Sequence, residues 1–151
     1  IGVPNIDPGI SGLTEKKAFK EMEAPPKELV DHLSRVVLMK MIPSIIEKKI
    51  KGFGEAITEL DYKFGEYWLE VQGGRFSHPH IEEGIEHLLN LGVLGAGQSS
   101  WGPAFYGLVK GENMAKKIRI ELSNFFENKG RKGDVFYTKV NNEGAKITLI
   151  Q

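Results

Sequence analysis

The pattern of apolar and polar positions predicts an alternation of helices and short strands. Residues 1–6 mix β-branched side chains with a glycine and a proline, which is typical of a short strand near a sheet edge. Turn-forming residues follow at 7–12. A first helix is expected to start near Thr14 and to end before Pro25, because two successive prolines cannot continue it.

Apolar residues at helical spacing predict the next two helices. The first apolar stripe consists of Leu29, Leu33, Val36, Val37 and Met41. The second consists of Phe53, Ala56, Ile57, Leu60 and Phe64, with Glu55, Glu59 and Lys63 on the opposite face. Pro43 should break or kink the first helix. We expect both helices to pack against each other and one face of a sheet, with Met39 and Met41 in or near the core.

The second half of the chain predicts two more helices and several strands. One helix covers residues 80–91, with Ile81, Ile85, Leu88 and Leu89 as its apolar stripe, and Gly92 ends it. The other begins after Gly111 and ends near Gly130, with a buried stripe of Met114, Ile118, Leu122, Phe125 and Phe126. Strand-like runs lie before Gly95 and at 104–110, and residues 134–140 and 145–150 flank a hairpin turn.

The resulting order is strand, helices, strand, strand, helix, strand. This order is that of the split βαβ or ferredoxin-like fold, an α+β architecture with an antiparallel sheet. The several helices before the second strand are interpreted as an enlarged first crossover. At 151 residues, the chain has the size of a single domain.

Composition and charge narrow the classes of protein to which the chain belongs. Lysine plus arginine and aspartate plus glutamate each number 20, which argues against binding to nucleic acid or to an anionic membrane. Without cysteine, neither disulfides nor thiolate metal sites are possible. No apolar run approaches the roughly 20 residues of a membrane span, and no signal-peptide pattern is visible. We therefore expect a cytoplasmic protein, of which this chain is a C-terminal piece.

The most distinctive stretch is residues 92–109, where small and polar residues connect two strands. Its small and polar members are Gly95, Ala96, Gly97, Gln98, Ser99 and Ser100, followed by Trp101 and a Gly-Pro turn. The glycines let another group approach the main chain closely, and the polar side chains add neutral donors and acceptors. Such a loop is suited to a small anionic or polar ligand, although a plain glycine-rich connection is an equally good interpretation.

Three familiar kinds of glycine or serine site do not fit this stretch. A dinucleotide-binding motif needs a helix immediately after its glycines, whereas a turn and a strand follow here. A Walker-type phosphate loop needs Gly-Lys-Ser or Gly-Lys-Thr, which the sequence lacks. Neither Ser99 nor Ser100 lies in a Gly-x-Ser-x-Gly pattern, so nucleophilic catalysis by either is not expected. No catalytic residue is assigned.

A second polar cluster occupies residues 72–80. Arg75 follows two glycines, and its guanidinium is suited to forked contacts with a phosphate or a carboxylate. A surface ion pair is an equally good interpretation. His78 and His80 lack the spacing of a helical zinc site, so we interpret them as loop histidines and predict no metal ligands. If this loop meets residues 95–101, a phosphorylated or carboxylated small molecule is the expected occupant.

The sequence LGAGQSSWGPAFYGLV resembles the C-terminal glycine motif of the GHMP kinase superfamily. The version with GQSSWGP, in place of a run of glycines, is similar to archaeal β-ribofuranosylaminobenzene 5'-phosphate synthases. Three further segments, QGGRFS at 72–77, GFGEAITEL at 52–60 and NNEGA at 141–145, resemble the same family. The resemblance spans most of the chain.

The resemblance implies an enzyme of tetrahydromethanopterin biosynthesis. It would join phosphoribosyl pyrophosphate to 4-aminobenzoate or 4-hydroxybenzoate with loss of carbon dioxide and pyrophosphate, assisted by Mg²⁺. The residues implied to line the substrate pocket are Gly95, Gly97, Gln98, Ser99 and Ser100, with Trp101 packed beside it. Arg75 would contact a phosphate or the benzoate carboxylate. A homodimer is a further expectation.

One departure from the superfamily is large. Its phosphate-binding motif, of the Gly-Leu-Gly-Ser-Ser type, is absent from this sequence. We therefore predict that residues 1–151 are a single C-terminal domain that lacks half of the active site. A small-molecule kinase domain of the same superfamily and a non-catalytic metabolite-binding or dimerisation module are the alternatives.

Overall fold

The computed structural model describes residues 1–145 and 147–148. Its strands form a four-stranded antiparallel sheet in the order β2-β3-β1-β4. They are β1 (Gly2–Pro4), β2 (Gly95–Gln98), β3 (Phe105–Leu108) and β4 (Gly133–Val135). β1 and β2 lie on either side of β3, and the helices between them form the first crossover. This is the ferredoxin-like α+β arrangement predicted from the order of elements.

The helices lie where the sequence predicts them, except for a short additional one after Trp68. They are α1 (Gly12–Glu21), α2 (Lys27–Val36), α3 (Ile42–Ile46), α4 (Ile50–Tyr67), α5 (Leu69–Gln72), α6 (Pro79–Asn90) and α7 (Glu112–Asn128). α1 ends before the proline pair, and α5 ends at Gly73, whose φ of 78° is readily adopted only by glycine. None of the helices in residues 1–145 and 147–148 is long and apolar enough to cross a membrane.

The main core lies between the sheet and helices α6 and α7. At its centre is Phe105 of β3, which is completely buried. Its ring occupies space beside Gly2 and Gly84, where any Cβ would overlap it. The two helices contribute the buried residues Ile81, Ile85, Leu88, Ile118, Leu122 and Phe126. The predicted apolar stripes of both helices are therefore confirmed, except that Met114 is exposed.

The predicted break at Pro43 is a π-helical turn. Residues Val37–Met41 form this turn between α2 and α3, and the Ile42 N–H donates to the Val37 carbonyl. The wider turn accommodates a proline that cannot donate a backbone hydrogen bond. It also changes which residues face inward, and Met39 is 73% exposed. The prediction that Met39 belongs to the core is therefore wrong.

Helix α4 covers the free edge of β2 with small residues, and not with the predicted apolar stripe. Gly54 packs against the backbone of Leu94 and Gly95. The Ala96 N–H donates to Thr58 Oγ1 at 2.8 Å, which satisfies an outward-facing amide of this edge strand. In contrast, Phe64 of the predicted stripe is exposed. Close approach of helix and strand backbones requires small residues, whatever the hydrophobicity of the neighbouring positions.

The predicted polar face of α4 is also partly covered. Glu59 contacts Lys40 at 3.2 Å and His32 at 3.0 Å, and Lys40 also lies 3.6 Å from Glu55. These ion pairs join α4 to α2 and the π-helical turn. The predicted packing of the two helices is confirmed, but charged groups make part of the contact.

Three strand predictions need correction. The second strand does not lie before Gly95, because β2 is Gly95–Gln98 itself, part of the stretch that was predicted to connect two strands. β1 lies inside the sheet between β3 and β4, not at an edge. β4 ends at Val135, and pairing with the start of the chain stops at Phe136, which exchanges backbone hydrogen bonds of 2.9 and 3.0 Å with Ile1. Residues 136–140 form no strand, so the predicted strand at 134–140 is shorter than expected. The second arm of the predicted hairpin, residues 145–150, lies partly outside the described residues.

Candidate functional site

Two loops that are distant in the sequence meet at the side chain of Gln98. Its Oε1 accepts hydrogen bonds from the Ser77 backbone N–H at 2.8 Å and from Ser77 Oγ at 3.0 Å. Its Nε2 donates to the Ser100 carbonyl at 2.7 Å and to Gln72 Oε1 at 3.3 Å. The side chain is 8% exposed. Through these hydrogen bonds, Gln98 links the 72–78 loop to the turn after β2.

The turn after β2 presents Trp101 to α1 and α5. Ser100 has a φ of 53°, an uncommon left-handed conformation for a residue with a side chain, and the Gly102-Pro103 peptide is cis. The Trp101 indole N–H donates to Glu15 at 2.9 Å. Its ring packs edge-to-face against Trp68, with 4.9 Å between the centroids. The conformation of this turn thus places an aromatic ring beside the two converging loops.

A cavity of about 380 Å³ lies where these elements meet, a volume typical of small-molecule sites. Its aromatic walls are formed by Phe19, Phe64, Trp68, Phe76 and Trp101. Its polar side chains are Glu15, Asp61, Gln72, Arg75, Gln98 and Ser100. Another cavity of about 370 Å³, beside α7 and the C-terminal segment, contains none of the predicted site residues. We therefore take the aromatic cavity as the candidate site.

The structure brings some of the predicted site residues together and separates others. Those that line the cavity are Arg75, Gln98, Ser100 and Trp101. Gly95 packs on the backbone of α4, Gly97 lies against Asp61, and Ser99 is exposed. A substrate contact by any of these residues stays a prediction, and the geometry suggests that the two glycines act through packing.

Arg75 forms an ion pair, one of the two interpretations that the sequence left open, and its contact with a ligand stays a prediction. Its Nη1 lies 3.5 Å from Glu82 Oε1, and its guanidinium lies over the Tyr62 ring at 5.0 Å from the centroid. Its Nε is buried and has no hydrogen-bond partner among the described residues. Arg75 thus pairs with Glu82 through Nη1, while its Nε–H has no acceptor among the described residues.

The histidines and acids form no metal centre among the described residues. No group of three or more His, Asp or Glu side chains that could hold a metal ion occurs in residues 1–145 and 147–148. His78 caps α6, because its Nδ1 accepts a 3.0 Å hydrogen bond from the His80 N–H. The described residues therefore offer no such cluster for a protein-bound metal ion, and we derive no step through Mg²⁺.

Asp61 of α4 is a polar residue of the cavity that the sequence pattern did not indicate. Its Oδ2 accepts a 2.7 Å hydrogen bond from the Tyr106 hydroxyl of β3. Burial raises the pKa of Asp61 from 3.8 to about 6, although Tyr106 and the Gln98 backbone amide act in the opposite direction. Burial also raises the pKa of Tyr106, and the neighbouring Asp61 adds to this shift.

Gly97 makes room for this carboxylate. A Cβ at position 97 would overlap the Asp61 carboxylate oxygen and lie 2.8 Å from the Tyr106 hydroxyl oxygen. The helical spacing of Gly54, Thr58, Asp61 and Gly65 is the pattern that could have indicated this face. Small residues and one acid at that spacing are compatible with a helix that closely approaches a strand.

The raised pKa of Asp61 predicts a dependence of stability on pH. In the folded protein this carboxyl binds its proton more tightly than in the unfolded chain, so its contribution to stability falls as pH rises from 3.8 to about 6. We expect Asp61→Asn to become more stable relative to the wild type at pH 7 than at pH 4. Urea denaturation of both proteins at both pH values measures this difference, with Asp31→Asn on exposed helix surface as control. A difference that is the same at both pH values would contradict the prediction.

Comparison with known proteins identifies the family. The family model described as GHMP kinases C terminal matches residues 41–128, more than half of the chain. The chain belongs to this family. The matched region includes α4, α6, β2, β3 and α7. It also includes three residues of the cavity, Asp61, Arg75 and Gln98. β1, β4 and α1 lie outside the matched region.

Three curated relatives of this GHMP C-terminal domain are named beta-ribofuranosylphenol 5'-phosphate synthase. The protein from Methanothermobacter thermautotrophicus is 36% identical over 108 residues, which cover 72% of this chain and 32% of the relative. The Methanocaldococcus jannaschii protein is 34% identical over 140 residues, covering 91% and 39%. The Archaeoglobus fulgidus protein is 29% identical over 152 residues, covering 99% and 44%. The chain thus spans less than half of the length of these relatives.

Proposed function

We propose that this chain is the C-terminal domain of a phosphoribosyl-transferring synthase. The complete protein would join phosphoribosyl pyrophosphate to 4-hydroxybenzoate or 4-aminobenzoate, a step of tetrahydromethanopterin biosynthesis. The main support is that the aromatic cavity occurs in a chain whose three curated relatives share one synthase name. The same reaction is implied by the resemblance of the GQSSWGP segment.

The proposed reaction replaces the benzoate carboxyl group with ribose. A bond forms between ribose C1 and the ring carbon that carries the carboxylate, and the C1–oxygen bond to diphosphate breaks. The ring–carboxylate bond then breaks, its electron pair returns to the ring, and carbon dioxide leaves. Positive charge develops on the ribose, so positioning of the ring against C1 is the main task of the protein. We propose that Mg²⁺ binds the diphosphate oxygens of the substrate.

The cavity is suited to the aromatic substrate. Edge-to-face contacts join Trp68 to Trp101 and to Phe19, with centroid distances of 4.9 and 5.2 Å. A flat ring fits such a surface through the same kind of contact. Arg75, with its unpartnered Nε, is the proposed contact for the carboxylate of the benzoate or for a phosphate. Gln98 would hold the two loops in place around the substrate.

A small-molecule kinase is the second candidate, since the description of the matched family names kinases. Gln98, Ser99 and Ser100, which replace the glycines of ordinary GHMP kinases, favour the synthase.

The two candidates are separated by one assay of the complete protein. With phosphoribosyl pyrophosphate and 4-hydroxybenzoate or 4-aminobenzoate, we expect release of pyrophosphate and carbon dioxide in equal amounts. No ATP should be consumed when phosphoribosyl pyrophosphate is omitted. Omission of the benzoate is the control for hydrolysis of the donor. ATP consumption without carbon dioxide release would instead support the kinase.

A further inference from the structure

The charge of the aromatic cavity does not match a polyphosphate. Its walls carry two carboxyl groups, Glu15 and Asp61, and one cation, Arg75. That cation already lies 3.5 Å from Glu82. Glu15 in turn accepts a hydrogen bond from Trp101. This balance of charges favours a ligand group that donates hydrogen bonds over one that carries several negative charges.

Asp61 is held in a fixed position from two strands. The Tyr106 hydroxyl of β3 donates to Oδ2, and Gly97 of β2 leaves the space that the carboxylate occupies. A carboxylate has more acceptor positions than these contacts use, since its two oxygens provide about four. Because Asp61 also lines the cavity, a ligand there meets a preorganised acceptor beside aromatic walls.

We propose that Asp61 is a specificity-determining residue that accepts a hydrogen bond from the para hydroxyl or amino group of an aromatic ligand. This inference rests on the proposed function, which supplies benzoates with such a group as the substrate class. The aromatic rings of Trp68 and Trp101 would hold the ligand ring, and Asp61 would distinguish a donor-bearing ring from one without a donor. The diphosphate of phosphoribosyl pyrophosphate would bind outside this cavity, which leaves Arg75 for the carboxylate of the benzoate or the 5'-phosphate at the cavity edge.

Tryptophan fluorescence tests the proposal directly. The chain has two tryptophans, and both line the cavity. We expect 4-hydroxybenzoate and 4-aminobenzoate to quench the fluorescence of the 151-residue chain saturably at pH 7.5. They should bind about tenfold more tightly than unsubstituted benzoate, as a hydrogen bond to a charged acceptor predicts. In Asp61→Asn this preference should fall below about twofold, while benzoate itself binds as in the wild type.

The dependence of the preference on pH separates ligand recognition from a purely structural role. The charged and titratable groups around Asp61 are Tyr106 on β3, Arg75 on the 72–78 loop and Glu15 on α1. The preference for donor-bearing rings should weaken as pH falls from 7.5 to 5, because the carboxylate becomes protonated. In Tyr106→Phe the midpoint should move to higher pH, since the Tyr106 hydrogen bond lowers the pKa of Asp61.

The outcomes distinguish this inference from the proposed function. The absence of saturable quenching, equal affinity for the three ligands, or a preference that persists in Asp61→Asn would overturn the role of Asp61. Synthase activity of the complete protein would then stand on its own assay. Donor-dependent binding without any product formation would support the role of Asp61 and contradict the synthase.

Discussion

Replacing Gly95 with alanine is expected to lower the free energy of unfolding by about 3 kcal/mol, at the upper end of the range for overpacking. A Cβ at this position would overlap the backbone of Gly54, with 2.6 Å to its Cα. Backbone atoms within α4 and β2 cannot rotate away as a flexible side chain does. The helix must therefore move off the strand, which also strains the hydrogen bond between Thr58 and Ala96. Urea denaturation measures the change.

Gly74→Ala is the matched control for this substitution. Gly74 lies in the 72–78 loop with its φ outside the left-handed region, and a Cβ there would have its nearest contact at 3.1 Å, with the Phe76 carbonyl. We expect a much smaller loss of stability than for Gly95→Ala. Equal stabilities of the two variants would show that the contact between Gly54 and Gly95 does not limit the packing of α4 on β2. We would then again interpret Gly95 as a residue that lines the substrate pocket.

Gln98→Ala is expected to lower the free energy of unfolding by about 2 to 3 kcal/mol, because it removes all the hydrogen bonds of a buried amide side chain that joins two loops. The Ser77 N–H and hydroxyl lose their acceptor, and the Ser100 carbonyl loses its donor. The 72–78 loop and the turn after β2 should separate. Urea denaturation gives the stability, and tryptophan fluorescence reports the displacement of Trp101. Loss of activity in this variant would by itself not demonstrate a contact between Gln98 and substrate.

Ser77→Ala provides a graded comparison. It removes one of the two donors to Gln98 Oε1 and keeps the backbone N–H, so a loss of about 1 kcal/mol is expected. If Gln98→Ala were as stable as the wild type, the hydrogen bonds of Gln98 would not be what links the two loops. The buried amide would then be maintained for contact with a ligand.

The fold was largely predictable from the sequence, because its elements follow local rules. The apolar stripes of α6 and α7, the stop at Gly92 and the break at Pro43 depend on residues within a few positions of each other. The order of these elements leaves few topologies, and the ferredoxin-like sheet is among them. The strand predictions were wrong where pairing with a segment distant in the sequence determined the structure. β1 lies inside the sheet because β4 pairs beside it.

The site was predictable only in part. The sequence pointed to the two polar loops, and the structure places Arg75, Gln98, Ser100 and Trp101 around one cavity. It did not indicate Asp61, since a single carboxyl group on an amphipathic helix resembles a solvent-facing residue. The burial that raises its pKa and the contact with Tyr106 come from a strand 45 residues away in the sequence.

The sequence by itself determined most of the elements of this protein, the two segments rich in glycine and polar residues, and the family resemblance carried by GQSSWGP. These properties are encoded in neighbouring residues, so no tertiary structure was needed to recognise them. Only the tertiary structure decided what the glycines of that stretch do. Gly95 admits the backbone of α4, and Gly97 admits the carboxylate of Asp61. A glycine can leave space for a ligand or for another part of the same chain. Which of the two occupies the space depends on the group that packs opposite the glycine, and only the tertiary structure determines that group.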